Sequence, residues 1–262
     1  MKICLVKPLI IANWKMNPAS VREASALADH TEAAVRAAKN VEAVVAPPFP
    51  YFHAVKNEIR YVKLGAQNVW WTDEGPYTGE VSWRQLKQFG VQYVIVGHSE
   101  RRIHAHEGDV MINRKIHVLL EHGIAPILCI GEQERESNNI PETVGAELKA
   151  ALENVKRSMI KKLIVAYEPI WAISTTSGSK PDTPANAFQA MVFIRKVISS
   201  LYGRAESDGV RVIYGGSVKA SNIVSFLVEG KMQGALVGGA SLKPKEFREI
   251  LRNVNNLKSR VG

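Results

Sequence analysis

The sequence predicts an α/β protein that folds as one (β/α)8 barrel domain over residues 1–262. Three observations predict this class: eight short apolar runs alternate with longer segments of helical spacing, the runs are apolar throughout, and polar residues follow them. Runs that are apolar throughout are typical of parallel strands buried on both faces. Eight such units in 262 residues favour a closed barrel over an open sheet.

The strand candidates are rich in β-branched and aliphatic residues and lie at residues 9–12, 41–46, 61–66, 93–96, 125–130, 163–167, 210–214 and 235–237. Among the helix candidates between them, residues 20–39 place Val21, Ala24 and Ala28 roughly on one face. A second candidate spans residues 141–159, where Pro141 suits a first helical turn. No linker or low-complexity stretch divides the chain, so we expect one domain.

Composition indicates an ordinary soluble globular protein, with 46% hydrophobic and 23% charged residues. The two cysteines, Cys4 and Cys129, lie inside apolar runs, which favours buried reduced thiols and a cytoplasmic location. The apolar opening of the chain is interrupted by Lys7 and Pro8, and we expect a strand there rather than a signal peptide. No later apolar stretch is long enough to span a bilayer, so no membrane partner is expected.

The formal net charge of +9 raises the question of nucleic-acid binding, because clustered Lys and Arg neutralise phosphate backbones. In this chain the basic residues are scattered, and pairs such as Lys161-Lys162 are short. No basic stripe with interleaved aromatics and no zinc-spaced Cys/His set is present in the sequence. The charge therefore favours a small anionic substrate and not a nucleic acid.

Polar residues follow seven of the strand candidates. They are Asn13-Trp14-Lys15, Gln67-Asn68, His98-Ser99-Glu100, Gly131-Glu132, Glu168, Gly215-Gly216-Ser217 and Gly238-Gly239. In a parallel barrel the carboxyl ends of all strands open at one mouth. Loop polarity alone explains any single instance, but seven together predict an active site at this mouth.

Two of these segments contain glycine pairs that lead towards helices, Gly215-Gly216 and Gly238-Gly239. Glycines allow backbone amides to approach an anion closely, and a helix N-terminus adds a favourable dipole. Tight turns would explain one pair. Two pairs after consecutive strands predict a phosphate site, because barrel enzymes often hold phosphate after strands seven and eight.

Three further residues at the mouth suggest proton-transfer chemistry. Glu168 ends a buried strand and suits a general base, Lys15 supplies a cation, and His98 precedes a possible helical turn that favours a neutral imidazole. Taken singly, each has a simpler interpretation: a solvated glutamate, a surface lysine or a structural histidine. Together with a phosphate cradle, they predict proton abstraction beside a carbonyl on a small phosphorylated sugar.

Neither a metal nor a cofactor is predicted. His104 and His106 have a spacing that could bind a metal, but a solvated turn explains them more simply. No glycine-rich dinucleotide fingerprint follows the first strand candidate.

Seven motifs, in order along the chain, resemble those of the triosephosphate isomerase family. They are Asn13-Trp14-Lys15-Met16-Asn17, Gly65-Ala66-Gln67-Asn68, Gly97-His98-Ser99-Glu100-Arg101-Arg102, Cys129-Ile130-Gly131-Glu132, Tyr167-Glu168-Pro169-Ile170-Trp171-Ala172-Ile173, Tyr214-Gly215-Gly216-Ser217 and Leu236-Val237-Gly238-Gly239-Ala240-Ser241-Leu242. The resemblance implies a TIM barrel without a cofactor. It also implies interconversion of dihydroxyacetone phosphate and D-glyceraldehyde 3-phosphate, through an enediolate, in glycolysis and gluconeogenesis.

The resemblance also implies roles for individual residues, with the glutamate base and neutral histidine being long-established features of that family. The catalytic residues would be Lys15, His98, Glu168, Asn13 and Glu100. The substrate-binding residues would be Asn13, Lys15, Ser174, Ser217, Gly238 and Gly239. The lid and its apolar clamp would consist of Pro169, Ile170, Trp171, Ile173 and Leu236. Burial beneath the clamp would make the carboxylate more basic.

Members of that family are homodimers, so the resemblance implies a homodimer here, with Met16, Thr78 and Gly79 at the interface. The loop after the third strand candidate also carries Trp70, Trp71 and Tyr77. These aromatics would be a costly apolar surface on a monomer but are typical of an interface. The alternative is that they fold back onto their own barrel.

One segment departs from the family pattern. Where the family usually has Gly-Thr-Gly-Lys-Thr-Ala after the position of Ile173, this chain has nine residues, 174–182, in place of six. Ser174 replaces a glycine whose amide contacts phosphate, and Pro181 fixes one dihedral of the hinge. We therefore expect the chemistry to be retained with altered lid kinetics or weaker phosphate capture.

Two alternative functions remain open on the sequence. The longer lid is compatible with a different phosphorylated-sugar enzyme on the same barrel. The positive charge and the phosphate cradle are compatible with a non-catalytic phosphate-binding relative.

Overall fold

The computed structural model describes residues 7–135, 140–173 and 178–257. Within these ranges, eight parallel strands close into a barrel in chain order, with β1 paired to both β2 and β8. The predicted (β/α)8 fold is confirmed. The strands are β1 Leu9–Asn13, β2 Glu42–Ala46, β3 Lys63–Ala66, β4 Tyr93–Val96, β5 Ala125–Ile130, β6 Ile164–Tyr167, β7 Arg211–Tyr214 and β8 Gly234–Val237.

Helices surround the strands and cover the outside of the barrel. They are α1 Val21–Ala37, α2 Phe52–Glu58, α3 Trp83–Gln88, α4 Ser99–His104, α5 Asp109–Glu121, α6 Glu142–Ala151, α7 Pro184–Tyr202, α8 Arg204–Gly209, α9 Ile223–Val228 and α10 Pro244–Asn255. Short 3₁₀ turns lie at Phe49–Tyr51, Arg157–Lys162, Ile170–Ala172 and Gly239–Leu242. No helix in the described ranges is long and apolar enough to cross a membrane.

Strand side chains alternate between two core layers, as the apolar runs predict. Ile164 and Ala166 of β6 belong to the cluster inside the barrel, whereas Val165 and Tyr167 belong to the layer beneath the helices. Successive strand residues face opposite sides. The next inward position after Ile164 and Ala166 is Glu168, so the register of β6 directs this carboxylate into the barrel mouth.

Strand β3 begins two residues later than predicted, at Lys63 and not at Tyr61. The backbone amides of Arg60, Tyr61 and Val62 donate to the carboxylate of Glu32 instead of to a neighbouring strand. The Glu32 side chain therefore accepts from the backbone amides that would pair with a neighbouring strand if β3 were longer.

The observed bounds agree with the prediction for one of the two predicted helices and differ from it for the other. Helix α1 lies within its predicted range, and the Ser20 hydroxyl caps it by accepting from the amide of Glu23. Helix α6 ends at Ala151, so the prediction of a helix through residue 159 is wrong. Asn154, three residues further on, has a φ of +58°, a left-handed conformation that prevents the helix from continuing to residue 159. Pro141 caps α6 and does not lie inside its first turn.

Candidate active site

Glu168 lies at the end of β6 and is 3% exposed. Its amide donates to the carbonyl of Ile130 at 2.8 Å, which continues the pairing of β5 with β6 by one residue. One carboxylate oxygen, Oε1, lies 3.2 Å from Nε2 of His98, and the other accepts from the amide of Ser99 at 3.4 Å. Both contacts are long for hydrogen bonds to a carboxylate, so the side chain can exchange them for a substrate at little cost.

His98 reaches Glu168 because the chain turns directly after β4. Gly97 has a φ of +71°, which favours glycine, and His98 then caps α4. Its Nδ1 atom accepts from the amide of Glu100 at 3.2 Å. Since Nδ1 accepts, the ring proton resides on Nε2, and the imidazole is a neutral donor aimed at Glu168.

Lys15 has a strained backbone held by several hydrogen bonds. Its φ is +52°, its amide donates to Oδ1 of Asn13 at 3.0 Å, and its carbonyl accepts from Gln67 at 2.8 Å. The ammonium donates to Oε1 of Glu100 at 2.6 Å. Left-handed non-glycine residues cluster at functional sites, where the surroundings impose the strain. The cation is therefore fixed in position, and Asn13 and Glu100 are the groups that fix it.

The glycines after β7 lie too close to their neighbours for a side chain, and Gly238 after β8 lies beside Lys15. A Cβ atom on Gly215 would lie 2.6 Å from Cγ of Glu168, and one on Gly216 would lie 2.2 Å from the hydroxyl of Tyr214. A Cβ on Gly238 would lie 3.4 Å from Cε of Lys15. The predicted anion cradle therefore sits directly beside both the carboxylate and the ammonium.

These groups line one cavity of about 390 Å³, within the range of small-molecule sites. Of the predicted residues, its wall contains Asn13, Lys15, His98, Glu168, Ile173, Ser217, Leu236, Gly238 and Gly239. Glu100 contacts this set through Lys15 and His98 and does not line the cavity itself. The predicted role of Ser174 lies outside the described residues.

The predicted lid begins on a short 3₁₀ turn, Ile170–Ala172, that follows Pro169. Nε1 of Trp171 donates to the Glu132 carboxylate at 3.0 Å, and the amide of Lys180 donates to the Trp171 carbonyl at 2.9 Å. The two ends of the lid segment are therefore joined to each other. The start of the lid segment consists of Pro169, Ile170 and Trp171, which do not line the main cavity. Ile173 and Leu236 do line it.

Three charged residues on the cavity rim were missed by sequence reasoning: Lys219, Lys243 and Glu246. Oε1 of Glu246 accepts from the amide of Ala220 at 2.7 Å and ties α10 to the segment after β7. The glycine pairs supply the signal that could have found the lysines, because Lys219 and Lys243 follow them by a few residues.

Several buried groups around the site have displaced pKa values. Burial, and then the negative charge of Glu168, raise the pKa of the Cys129 thiol well above its usual range. Cys129 is a free, buried cysteine, as predicted; Cys4 lies outside the described residues. Burial and the neighbouring Glu132 carboxylate raise the pKa of Tyr167, whose hydroxyl donates to Glu132 at 2.7 Å. These groups remain protonated donors around an acidic centre.

The predicted interface residues lie on the surface of the single chain. Met16 is 93% exposed, and Thr78 and Gly79 are exposed. Trp70 and Trp71 are partly buried and stack on each other with centroids 3.7 Å apart. The aromatics are thus partly folded back onto their own barrel, and Met16 is the most exposed apolar side chain beside the mouth.

Among the described residues, no group of three or more His, Cys, Asp or Glu side chains is arranged to hold a metal ion. His104 and His106 are both exposed.

The fold and the site together define a class: a (β/α)8 barrel whose mouth holds a carboxylate and imidazole pair, a fixed ammonium and a glycine-lined anion cradle. The family model described as Triosephosphate isomerase matches residues 8–254 of this chain. The chain belongs to the triosephosphate isomerase family.

Curated relatives agree with this assignment over almost their whole length. A triosephosphate isomerase of Thermoanaerobacter sp. (strain X514) is 43% identical over 249 residues, which cover 94% of this chain and 98% of the relative. The triosephosphate isomerase of Caldanaerobacter subterraneus subsp. tengcongensis is 42% identical over the same shares. That of Clostridium botulinum (strain Okra / Type B1) is 40% identical over 93% of this chain and 98% of the relative.

Proposed function

We propose that this chain is a triose-phosphate isomerase, an aldose-ketose isomerase that interconverts dihydroxyacetone phosphate and D-glyceraldehyde 3-phosphate in glycolysis and gluconeogenesis. Family membership supports the reaction. The observation that carries the mechanism is the buried Glu168 carboxylate, 3.2 Å from Nε2 of a neutral His98, in the cavity that also contains Lys15.

In the proposed mechanism, Glu168 removes a proton from the carbon beside the substrate carbonyl. The C–H electron pair forms the carbon–carbon double bond of an enediolate, and the carbonyl electrons move onto oxygen. Nε2–H of His98 and the Lys15 ammonium stabilise this oxygen. A proton then passes from the hydroxyl of the intermediate to this oxygen, and protonated Glu168 gives its proton to the former carbonyl carbon. The electrons of the double bond form the new C–H bond while the other carbon becomes the carbonyl, so the reaction is balanced without an external oxidant or reductant.

Phosphate binding is assigned to the glycine-lined end of the cavity. Ser217, Gly238 and Gly239 would supply hydrogen-bond donors, and Lys15 would supply the charge. Oδ1 of Asn13 positions Lys15 by accepting from the Lys15 backbone amide, and Glu100 positions the ammonium. Ile173 and Leu236 would form the apolar clamp over Glu168. Excluding water there strengthens every electrostatic contact inside the cavity.

We also propose a homodimer in which Met16, Thr78 and Gly79 contact the partner, a cytoplasmic location, and a single domain over residues 1–262. The 93% exposure of Met16 supports the dimer. The buried free thiol of Cys129 supports a reducing compartment. Pairing of β1 with β8, which are near opposite ends of the chain, supports a single domain.

A coupled assay on the purified chain tests the proposed reaction. We expect rapid turnover of D-glyceraldehyde 3-phosphate and, at equal concentration, at least about 10³-fold slower turnover of aldopentose and aldohexose phosphates, because the cavity of about 390 Å³ lies at the small end of the range for ligand sites and has Ile173 and Leu236 in its wall. Preference for a longer aldose phosphate would favour the alternative sugar-phosphate enzyme. Phosphate binding without any turnover would favour the non-catalytic relative.

A further inference from the structure

A second, narrow cavity adjoins Glu168 and is lined by residues at the ends of β4 and β5 and on α4 and α6. Its wall includes Arg102, Cys129, Gly131, Glu147 and Glu168. Two of these residues, Arg102 and Glu147, carry opposite charges and have no part in the mechanism proposed above. The contacts of these two residues reach the chain segments that adjoin His98 and Glu168.

Glu147 lies in the second turn of α6 and points its side chain at the end of β5. Its Oε2 atom accepts from the amide of Gly131 at 3.3 Å. Its side chain is 23% exposed, so it is largely shielded from water. This contact fixes the backbone of Gly131, the residue that directly follows β5.

Gly131 in turn is in direct contact with the backbone of Glu168. A Cβ atom on Gly131 would lie 1.9 Å from the carbonyl oxygen of Glu168, closer than any real contact allows. The amide of Glu168 also donates to Ile130 at 2.8 Å. The position of the Gly131 peptide therefore limits where the Glu168 backbone can lie.

Arg102 makes the matching connection to the histidine. Its Nε atom donates to the carbonyl of Gly97 at 3.1 Å, one residue before His98. Its Nη1 atom lies 3.8 Å from Oε1 of Glu147 and donates to Asp109 at 2.7 Å. Glu147 and Arg102 thus link the segment before His98 to the segment that packs on Glu168.

We infer that Glu147 is a positioning residue for proton transfer: through Gly131 and Arg102 it holds the ends of β4 and β5 at the spacing that places Nε2 of His98 3.2 Å from Oε1 of Glu168. This inference rests on the proposed roles of His98 and Glu168. Small displacements of reacting groups cost large factors in rate, so a residue outside the cavity can control kcat.

The test compares three variants at one position. Glu147→Ala removes the acceptor of the Gly131 amide, and we expect kcat to fall about tenfold while KM changes less than about twofold. Glu147→Gln keeps the reach and an acceptor oxygen, so kcat should stay within about threefold of wild type. Glu147→Asp keeps the charge but is one methylene shorter, so its kcat should be lower than that of Glu147→Gln.

Glu142→Ala is the matched control, because Glu142 is exposed on the first turn of the same helix. Its kcat should equal that of the wild type. Unchanged kcat in folded Glu147→Ala would overturn the inference. So would a higher kcat for Glu147→Asp than for Glu147→Gln, because glutamine and not aspartate keeps the length that reaches both the Gly131 amide and Arg102. This comparison holds even where Glu147→Ala does not fold.

A Glu168→Gln variant measured in the same assay separates this inference from the proposed function. Loss of activity in Glu168→Gln together with full activity in Glu147→Ala contradicts only the positioning role. Full activity in Glu168→Gln contradicts the proposed function itself.

Discussion

Nε2 of His98 lies 3.2 Å from Oε1 of Glu168, and this contact joins the end of β4 to the end of β6 across the barrel mouth. The same short helix, α4, holds both partners: the Ser99 amide donates to Glu168, and the Glu100 amide donates to Nδ1 of His98. Glu168 and His98, the proposed acid–base pair, are therefore oriented by backbone donors of one helix N-terminus before any substrate arrives.

The first prediction concerns His98 as the hydrogen-bond donor. Replacing it by Gln in a His98→Gln variant moves the donor away from the position of Nε2, and we expect kcat to fall about 10²-fold because a preorganised donor is lost. Steady-state kinetics measure this effect. His122→Gln is the control, since His122 stacks on Trp83 far from the mouth. A loss of less than about threefold in His98→Gln would argue against a catalytic role.

A second prediction concerns stability and the buried carboxylate of Glu107. This group accepts from Lys115 at 2.5 Å and also pairs with Arg101, while Lys115 donates to Asn68 at 2.7 Å. Glu107→Leu would leave both cations unpaired and should lower the free energy of unfolding by about 3–5 kcal/mol.

Lys115→Met should cost less than Glu107→Leu, because Glu107 keeps its pairing with Arg101. Urea unfolding measures the difference, and Glu121→Leu on the exposed end of α5 is the control. An equal or larger loss for Lys115→Met would contradict this account of the cluster.

The third prediction is an acid-dependent loss of stability at the amino-terminal end of the barrel. Burial alone would raise the pKa of Glu42, but hydrogen bonds from Lys63, Tyr93 and Arg211 outweigh burial and lower the pKa from 4.5 to about 2. A carboxylate with a lowered pKa contributes stability above its unfolded value and loses it as pH falls through the folded value. The loss should therefore occur between about pH 4.5 and pH 2.

Glu42→Gln removes the titrating group, so the variant should be less stable at pH 7 and should show a flatter decline of Tm on acidification. Thermal unfolding over a pH series measures both quantities. Parallel declines for the wild type and Glu42→Gln would show that another group controls the acid transition.

A fourth prediction tests the proposed dimer. Met16 is 93% exposed next to Lys15, and a Met16→Arg substitution would place a charge where an apolar side chain is proposed to contact the partner. Sedimentation should show a dimer for the wild type and a shift towards monomer for this variant. Val228→Arg, which changes a 44% exposed residue on α9, is the control. A wild-type chain that sediments as a monomer would contradict the dimer.

Much of the site could be predicted because strand periodicity and barrel geometry act together. Ile164 and Ala166 face the barrel interior, and the same two-residue period carries Glu168 to the mouth. The glycine pairs were recognisable because both directly follow strands, and at Gly215 and Gly216 the close contacts exclude any side chain. In these places local pattern and tertiary packing favour the same residue.

Other features depend on contacts that no local pattern reports. The orientation of His98 follows from the positive φ of Gly97, and the left-handed backbone of Asn154 interrupts the predicted continuation of α6. The second cavity is formed by Arg102 and Glu147, which are 45 residues apart and meet only in the folded chain. Such long-range contacts between charged residues carry no periodic signal.

The most direct test of the central claim, that Glu168 is the base, is to follow turnover in D₂O with the wild type and with Glu168→Gln. Because a carboxylate that carries the substrate proton can exchange it with solvent, wild-type product should contain deuterium on the carbon that receives the proton. In Glu168→Gln, kcat should fall by about 10³-fold and the deuterium incorporation should be lost, while inorganic phosphate still binds competitively. Unchanged turnover and unchanged deuterium incorporation in Glu168→Gln would contradict the account.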